Sequence, residues 1–187
     1  MEVRTARSKH SRKDAELHRT YSGSLAIAEV ADLVGISWYG ILEDGYAVTT
    51  VHRQLSDLTP LIDSSLGQKL VVAGDLNISS QFTGMTGARH RNLLDRFATL
   101  GLVDCFALNR PARKALSGCP CTEERCLHIQ TQQHPRSKVP WQNDYFFVSR
   151  KLEAKVRSCY AAEGEEAWQH SGHRPIVLEL SVARLAA

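Results

Sequence analysis

Residues 69–79 read KLVVAGDLNIS, a short apolar run that stops at Gly74 and is followed by Asp75 and Asn77 with one residue between them. An apolar run this short, bounded by glycine, is the pattern of a buried strand in an α/β protein. The stretch therefore predicts a strand over Lys69–Ala73. Strands of this kind present ligand-binding groups where they open into a loop. A carboxylate and a carboxamide at that mouth are hard acceptors suited to Mg²⁺ or to a polarised water. The same two residues also fit a plain loop role, with Asp75 capping a turn and Asn77 forming an Asx turn.

Working outward, Ser24–Val30 and Val34–Trp38 read as short strands, and Glu43-Asp44-Gly45 is turn chemistry. From Thr49 the spacing becomes helical: Val51, Leu55, Leu58, Leu61 and Ile62 share one face, with Thr49 or Thr50 as N-cap. Ser79–Gly87 reads as a loop, and Leu93, Leu94, Phe97 and Leu100 mark a second amphipathic helix closed by Gly101. Further strands are expected over Val103–Leu108, Tyr145–Val148, Leu152–Tyr160 and Pro175–Val182. Strands separated by helices point to α/β layers with a mixed sheet. Between them, Asn109–Val139 has no periodicity and is rich in Pro, Cys, His and Gln. A loop of that length in a compact domain is usually functional or pinned.

The bulk properties fit one domain: 187 residues, 43% apolar and 23% charged. The net charge of +3 does not by itself argue for nucleic acid, but its placement is uneven. Residues 1–20 carry Arg4, Arg7, Lys9, Arg12, Lys13 and Arg19 against Glu2, Asp14 and Glu16. This segment reads as a basic, solvated arm, with a phosphate-backbone contact as the other reading. The body of the domain is then 21–187. No apolar stretch approaches membrane-span length and no signal-peptide pattern is present. Five Cys in a richly charged chain of this length favour a cytoplasmic protein over a disulfide scaffold.

Two further clusters complete the pattern: Trp141-Gln142-Asn143-Asp144-Tyr145, before the apolar FFV, and Ser171-Gly172-His173-Arg174-Pro175, before IVLEL. Taken singly, each reads as structural. In order and together, GDLN (74–77), NDY (143–145) and SGHRP (171–175) resemble the endonuclease/exonuclease/phosphatase family, the DNase I-like fold that includes exonuclease III-type nucleases and inositol phosphatases. The resemblance spans residues 22–182 and is to the C-terminal half of the family domain.

The resemblance implies an α/β sandwich and a set of roles. Asp75 would orient or activate the attacking water and serve as a Mg²⁺ (or Mn²⁺) ligand. Asn77 would hold that water and the scissile phosphate, and His173 would bind the phosphate. Asp144 would fix the tautomer of His173 and favour its imidazolium. Tyr39, in SWYG, sits where exonuclease-like members carry a phosphate-contacting tyrosine. The basic cluster Arg89, His90 and Arg91 reads either as a phosphate contact or as a solvated helix start.

Two departures stand out. The family's SDH is SGH here, with Gly172 replacing the Asp, and the first half of the fold, with its metal-holding Gln-Glu pair, is not visible. Glu29 lies too close in sequence to Asp75 to take that place. A divalent ion at a transferring phosphoryl group is worth several kcal/mol, so losing its main ligand could remove most activity. The incomplete second sheet would leave apolar faces to be covered by the N-terminal arm or by a second copy of the chain. The function expected is a magnesium-dependent hydrolase of phosphate esters, a nuclease or phosphodiesterase acting by direct water attack on a substrate such as nucleic acid. The alternative is an inactive, truncated member acting as a binding module.

The long loop adds a separate signal. Cys119, Cys121, Cys126, His128 and His134 crowd five soft or borderline ligands into sixteen residues. Three Cys and one His suit Zn²⁺, although C-x-C-x4-C-x-H is not a common finger spacing. A metal clip would explain how an irregular loop stays ordered. Free thiols or a Cys119/Cys126 disulfide are the other readings. Cys105 and Cys159 read as ordinary buried strand residues.

Overall fold

A computed structural model of the chain describes residues 4–5, 24–30, 32–108, 116–121 and 126–181. The rest of the basic arm, and residues 109–115 and 122–125 of the long loop, lie outside the described residues. Six strands form one mixed sheet: β1 (Arg4–Thr5), β2 (Leu25–Val30), β3 (Leu33–Trp38), β4 (Leu70–Asp75), β5 (Leu102–Asp104) and β6 (Asp144–Ser149), in the order β1-β2-β3-β4-β6-β5. Among the described strands of this sheet only β3 and β4 run parallel; the remaining neighbours are antiparallel. A parallel pair needs a long crossover, and α1 (Val48–Ile62) supplies it. The helix α2 (Gly84–Thr99) follows the GDLN loop and returns the chain to β5.

Strand alternation sorts the two faces of the sheet. Val34, Ile36 and Trp38 of β3, Leu70 and Val72 of β4, and Tyr145 and Phe147 of β6 all pack into one core with Val51, Leu55 and Leu58 of α1 and Leu93 and Phe97 of α2. Phe97 stacks on Phe147 with ring centroids 4.5 Å apart. The Arg96 guanidinium donates to the His52 carbonyl at 2.8 Å and ties the helices together, so His52 is half-buried at their junction rather than on a solvated face. The opposite face carries Leu33, Val71, Phe146 and Val148. It packs against a second, two-stranded sheet of β7 (Val156–Ala161) and β8 (Ile176–Leu180).

Four local expectations shift. Helix α1 starts at Val48 after Ala47, without a side-chain cap. The Thr50 hydroxyl instead donates to the carbonyls of Ile41 and Ala47. Helix α2 begins at Gly84, inside the expected loop. The strand expected over Val103–Leu108 ends at Asp104, whose Oδ1 accepts the Phe106 N–H at 2.9 Å. That Asx turn sends Cys105–Leu108 into a helical turn, α3, so Cys105 is buried there and not in a strand. Finally, Arg150–Lys155 winds as a 3₁₀ turn before β7, shortening the strand expected from Leu152.

Candidate active site

Residues 74–77 leave β4 by a route that only small residues permit. A Cβ on Gly74, whose φ is 149°, would lie 1.9 Å from the Trp38 carbonyl oxygen, so this strand end can approach β3 only as glycine. Gly40 plays the reciprocal part, since a Cβ there would sit 2.0 Å from the Leu76 carbonyl oxygen. The Gly40 N–H donates to the Asp75 carbonyl at 2.8 Å, and Asn77 Nδ2 donates to the Gly40 carbonyl at 2.9 Å. The WYG and GDLN loops are thereby locked together.

Asp75 serves two purposes with two oxygens. Its Oδ1 accepts the Asn77 N–H at 3.0 Å, an Asx turn that accommodates Asn77 at φ 50°. Its Oδ2 faces His173 Nε2 at 3.9 Å. Antiparallel pairing sets Asp144 directly opposite Asp75. Cross-strand partners project to the same face, here the one covered by β7 and β8. His173, on the approach to β8, reaches Asp144 Oδ2 with Nδ1 at 2.9 Å. The structure therefore brings Asp75, Asp144 and His173 together from three distant motifs, with ligand atoms all within 4.8 Å of one another.

The charges respond to this crowding. Burial, then the neighbouring Asp144 charge, push the Asp75 carboxyl up to about 6, against weaker lowering by the Asn77 N–H and His173. The hydrogen bond to Asp144 and the charges of both carboxylates raise His173, and outweigh its own burial.

A connecting segment aligns the pair. The buried Thr131 Oγ1 accepts the N–H groups of both Asn143 and Asp144 at 3.1 Å, while the Thr131 carbonyl accepts the Arg174 N–H at 2.8 Å. The Gln133 N–H donates to the Gly172 carbonyl at 2.7 Å. A Cβ at Gly172 would meet the Gln133 carbonyl oxygen at 3.1 Å, so the glycine keeps this strap close. Gln81 and Gln142 are equally buried: Gln81 Oε1 accepts the Gln142 N–H at 2.7 Å, and Gln81 Nε2 donates to the Pro140 carbonyl at 2.8 Å. Sequence reasoning missed Thr131, Gln81 and Gln142. Polar residues in an aperiodic loop carry no pattern that separates buried positioning from solvation.

The other expected residues are dispersed. Tyr39 follows β3 next to the clamp at Gly40, with 48% of its surface exposed. Arg89 is exposed on α2. His90 points inward: it is fully buried, its Nδ1 accepts the Ser79 N–H at 3.0 Å, and its ring lies 4.5 Å from that of Phe82. Burial holds its pKa down to about 4, so the ring is neutral and brings no charge to a substrate. Its work is to hold the loop after Asn77. Glu29 pairs with Val34, at the opposite end of β2 from Trp38 and the site.

Asp75 suits a hard divalent cation. It is a carboxylate whose charge is disfavoured by burial and by a second carboxylate, and a cation beside it would relieve both. His173, with Nδ1 held by Asp144, presents Nε2 to the same space, where it can donate a proton or serve as a further ligand. No glutamate joins the cluster among the described residues.

No protein-family model and no curated protein matches the sequence. The solved structures do, and they show the fold: it is that of the DNase I-like endonuclease/exonuclease/phosphatase proteins, present in part. An AP endonuclease from Archaeoglobus fulgidus aligns at TM-score 0.62 and 18% identity, over 84% of this chain and 65% of that one. The 3'-5' exonuclease NExo from Neisseria meningitidis gives TM-score 0.62 and 18% identity, over 85% and 65%. A point variant of the 3' phosphatase NExo from Neisseria, bound to a product DNA hairpin, gives 0.61 and 18%, over 88% and 68%. The chain thus spans about two thirds of the length of these neighbours. No helix among the described residues is long and apolar enough to cross a membrane.

Proposed function

We propose that this chain hydrolyses a phosphate ester, with nucleic acid as the favoured substrate class, by direct attack of water. The observation that carries this reading is the Asp75–His173–Asp144 arrangement, an acid-base pair 3.9 Å apart with the histidine held from behind at 2.9 Å. Ionised Asp75 takes a proton from the attacking water through Oδ2 as the water oxygen bonds to phosphorus; the ester P–O bond breaks and the departing oxygen is protonated from solvent. Asp144 accepts the Nδ1–H of His173, so Nε2–H of the imidazolium is available to a phosphoryl oxygen. One amide hydrogen of Asn77 is committed to Gly40, and the other, with Oδ1, is left for water and phosphate. Tyr39 and Arg89, both exposed, would serve in this reading as outer contacts to the substrate backbone. A Mg²⁺ or Mn²⁺ ion at Asp75 would supply charge neutralisation at the phosphoryl group.

The test is hydrolysis of a generic phosphodiester and of a 3'-phosphorylated DNA hairpin, each with Mg²⁺. Turnover abolished by Asp75→Asn supports the reading. Absence of turnover in folded protein with tight DNA binding supports the second one, a binding module. That alternative is favoured by the lack of a glutamate in the described cluster. Among the described residues only two strands back the second face of the main sheet, and Val30 is 40% exposed, which fits self-association there. Light scattering checks it, and a monomer at high concentration removes that element.

A further inference from the structure

The loop cluster proves to be convergent. Sγ of Cys119, Cys121 and Cys126 and a ring nitrogen of His128 all lie within 4.8 Å of one another. His128 Nδ1 is 3.6 Å from Cys119 Sγ and 3.5 Å from Cys126 Sγ. With Zn–S of about 2.3 Å and Zn–N of about 2.0–2.1 Å, tetrahedral angles put sulfur and nitrogen about 3.5–3.6 Å apart. The observed separations match those that a shared ion would impose. None of the five cysteines is in a disulfide, and a disulfide would use two of the four convergent atoms while leaving the other two unexplained.

The surroundings suit thiolates and a metal-bound imidazole. Gln81 Nε2 donates to Cys119 Sγ at 3.2 Å. His128 Nε2 meets Ser80 Oγ at 2.6 Å. With Nδ1 on a metal, Nε2–H donates to that hydroxyl, the outer partner that fixes the tautomer of a ligating histidine. His134, the other histidine of the loop, is outside the group; its Nδ1 accepts the Arg136 N–H at 3.2 Å.

We propose that Cys119, Cys121, Cys126 and His128 bind one structural Zn²⁺, and that this ion braces the segment that positions Asp144 and His173. The link is short in the chain. His128 leads into Ile129, whose N–H donates to Gln142 Oε1 at 2.9 Å, and then into Thr131–Gln133, the strap that holds Asp144 and His173. Ser80 and Gln81 carry the same brace to the loop that follows Asn77. Four protein ligands close the site, so its role is structural and not catalytic.

The test uses the full chain, grown with zinc and purified untagged under reducing conditions. Mass-spectrometric metal analysis is expected to find one zinc per chain, lost in Cys126→Ser and retained in His134→Ala and His128→Cys. Cobalt exchange is expected to give thiolate charge-transfer and intense tetrahedral visible bands. Cooperatively folded wild type with less than about a tenth of an equivalent of zinc overturns the site, as does full zinc retention in Cys126→Ser. The bracing claim is read by hydrogen exchange. Zinc removal should speed exchange at Asn143, Asp144 and Arg174 by about tenfold or more relative to Ile36. Equal protection with and without zinc overturns it. Neither readout requires catalytic activity, so the site can stand or fall independently of the proposed hydrolysis.

Discussion

Asp75, Asp144 and His173 come from strand ends and meet because the register of β4 on β6 leaves no other pairing, whereas Cys119, Cys121, Cys126 and His128 come from one aperiodic loop. The first cluster offers oxygen and an ionisable pair at a partly open surface. The second offers sulfur and one imidazole, and is largely buried at Cys126 and His128. The first can lose a member and keep its fold, because the sheet exists without it. The second has no hydrogen-bonded ladder beneath it, so its order depends on what its side chains hold. In the roles proposed above, the reactive cluster is built on rigid elements and the structural one replaces them.

The sharpest break would come from Asp75→Asn. Loss of the base is expected to lower kcat by about 10³, about 4 kcal/mol. The folded-state pKa of Asp75 is raised from 3.8 to about 6, so its ionisation costs stability as pH climbs through that interval. The variant should therefore melt no lower than wild type at pH 8. Cys126→Ser should do the reverse, lowering the melting temperature. Equal stability losses in the two variants, read by calorimetry, would erase the distinction between the clusters.

Asp144→Asn should cost about 10² in kcat, about 2.7 kcal/mol, by leaving the His173 ring without its anchor. Single-turnover kinetics separates this from weaker binding, and an unchanged kcat removes Asp144 from the mechanism. Thr131→Val keeps the side-chain volume but leaves the N–H groups of Asn143 and Asp144 without an acceptor. A destabilisation of about 1–3 kcal/mol by urea titration is expected. If Thr131→Val melts like wild type, the strap is not held as described.

The smallest effect is in the pH profile. The proposed mechanism needs Asp75 ionised and His173 protonated. It should rise as pH passes about 6 and fall as pH passes the raised His173 value, above 6.5. In Asp144→Asn the alkaline limb should move to lower pH, because the largest cause of the raised value is gone. An alkaline limb that stays in place would assign that limb to another group.

Much of the Asp75–Asp144–His173 cluster was legible in the sequence. GDLN, NDY and SGHRP are short and local, and each pairs a chemical group with the turn that presents it. A strand over Lys69–Ala73 followed from its apolar run and is observed as Leu70–Asp75, ending two residues further on, and both helices followed from their spacing. The helix starts did not, because Ala47 caps α1 by backbone geometry alone. Neither did the inward turn of His90, since a histidine beside two arginines looks the same in sequence whether it faces water or Phe82.

Residue types and their local spacing thus determined the chemistry on offer: a carboxylate at a strand mouth, a histidine before the last strand, and a loop dense in sulfur. Tertiary structure decided which of these meet. Only pairing between β4 and β6 puts Asp75 across from Asp144, and only the folded loop selects His128 over His134. Contacts between residues far apart in the chain depend on register and packing, and no local pattern encodes either.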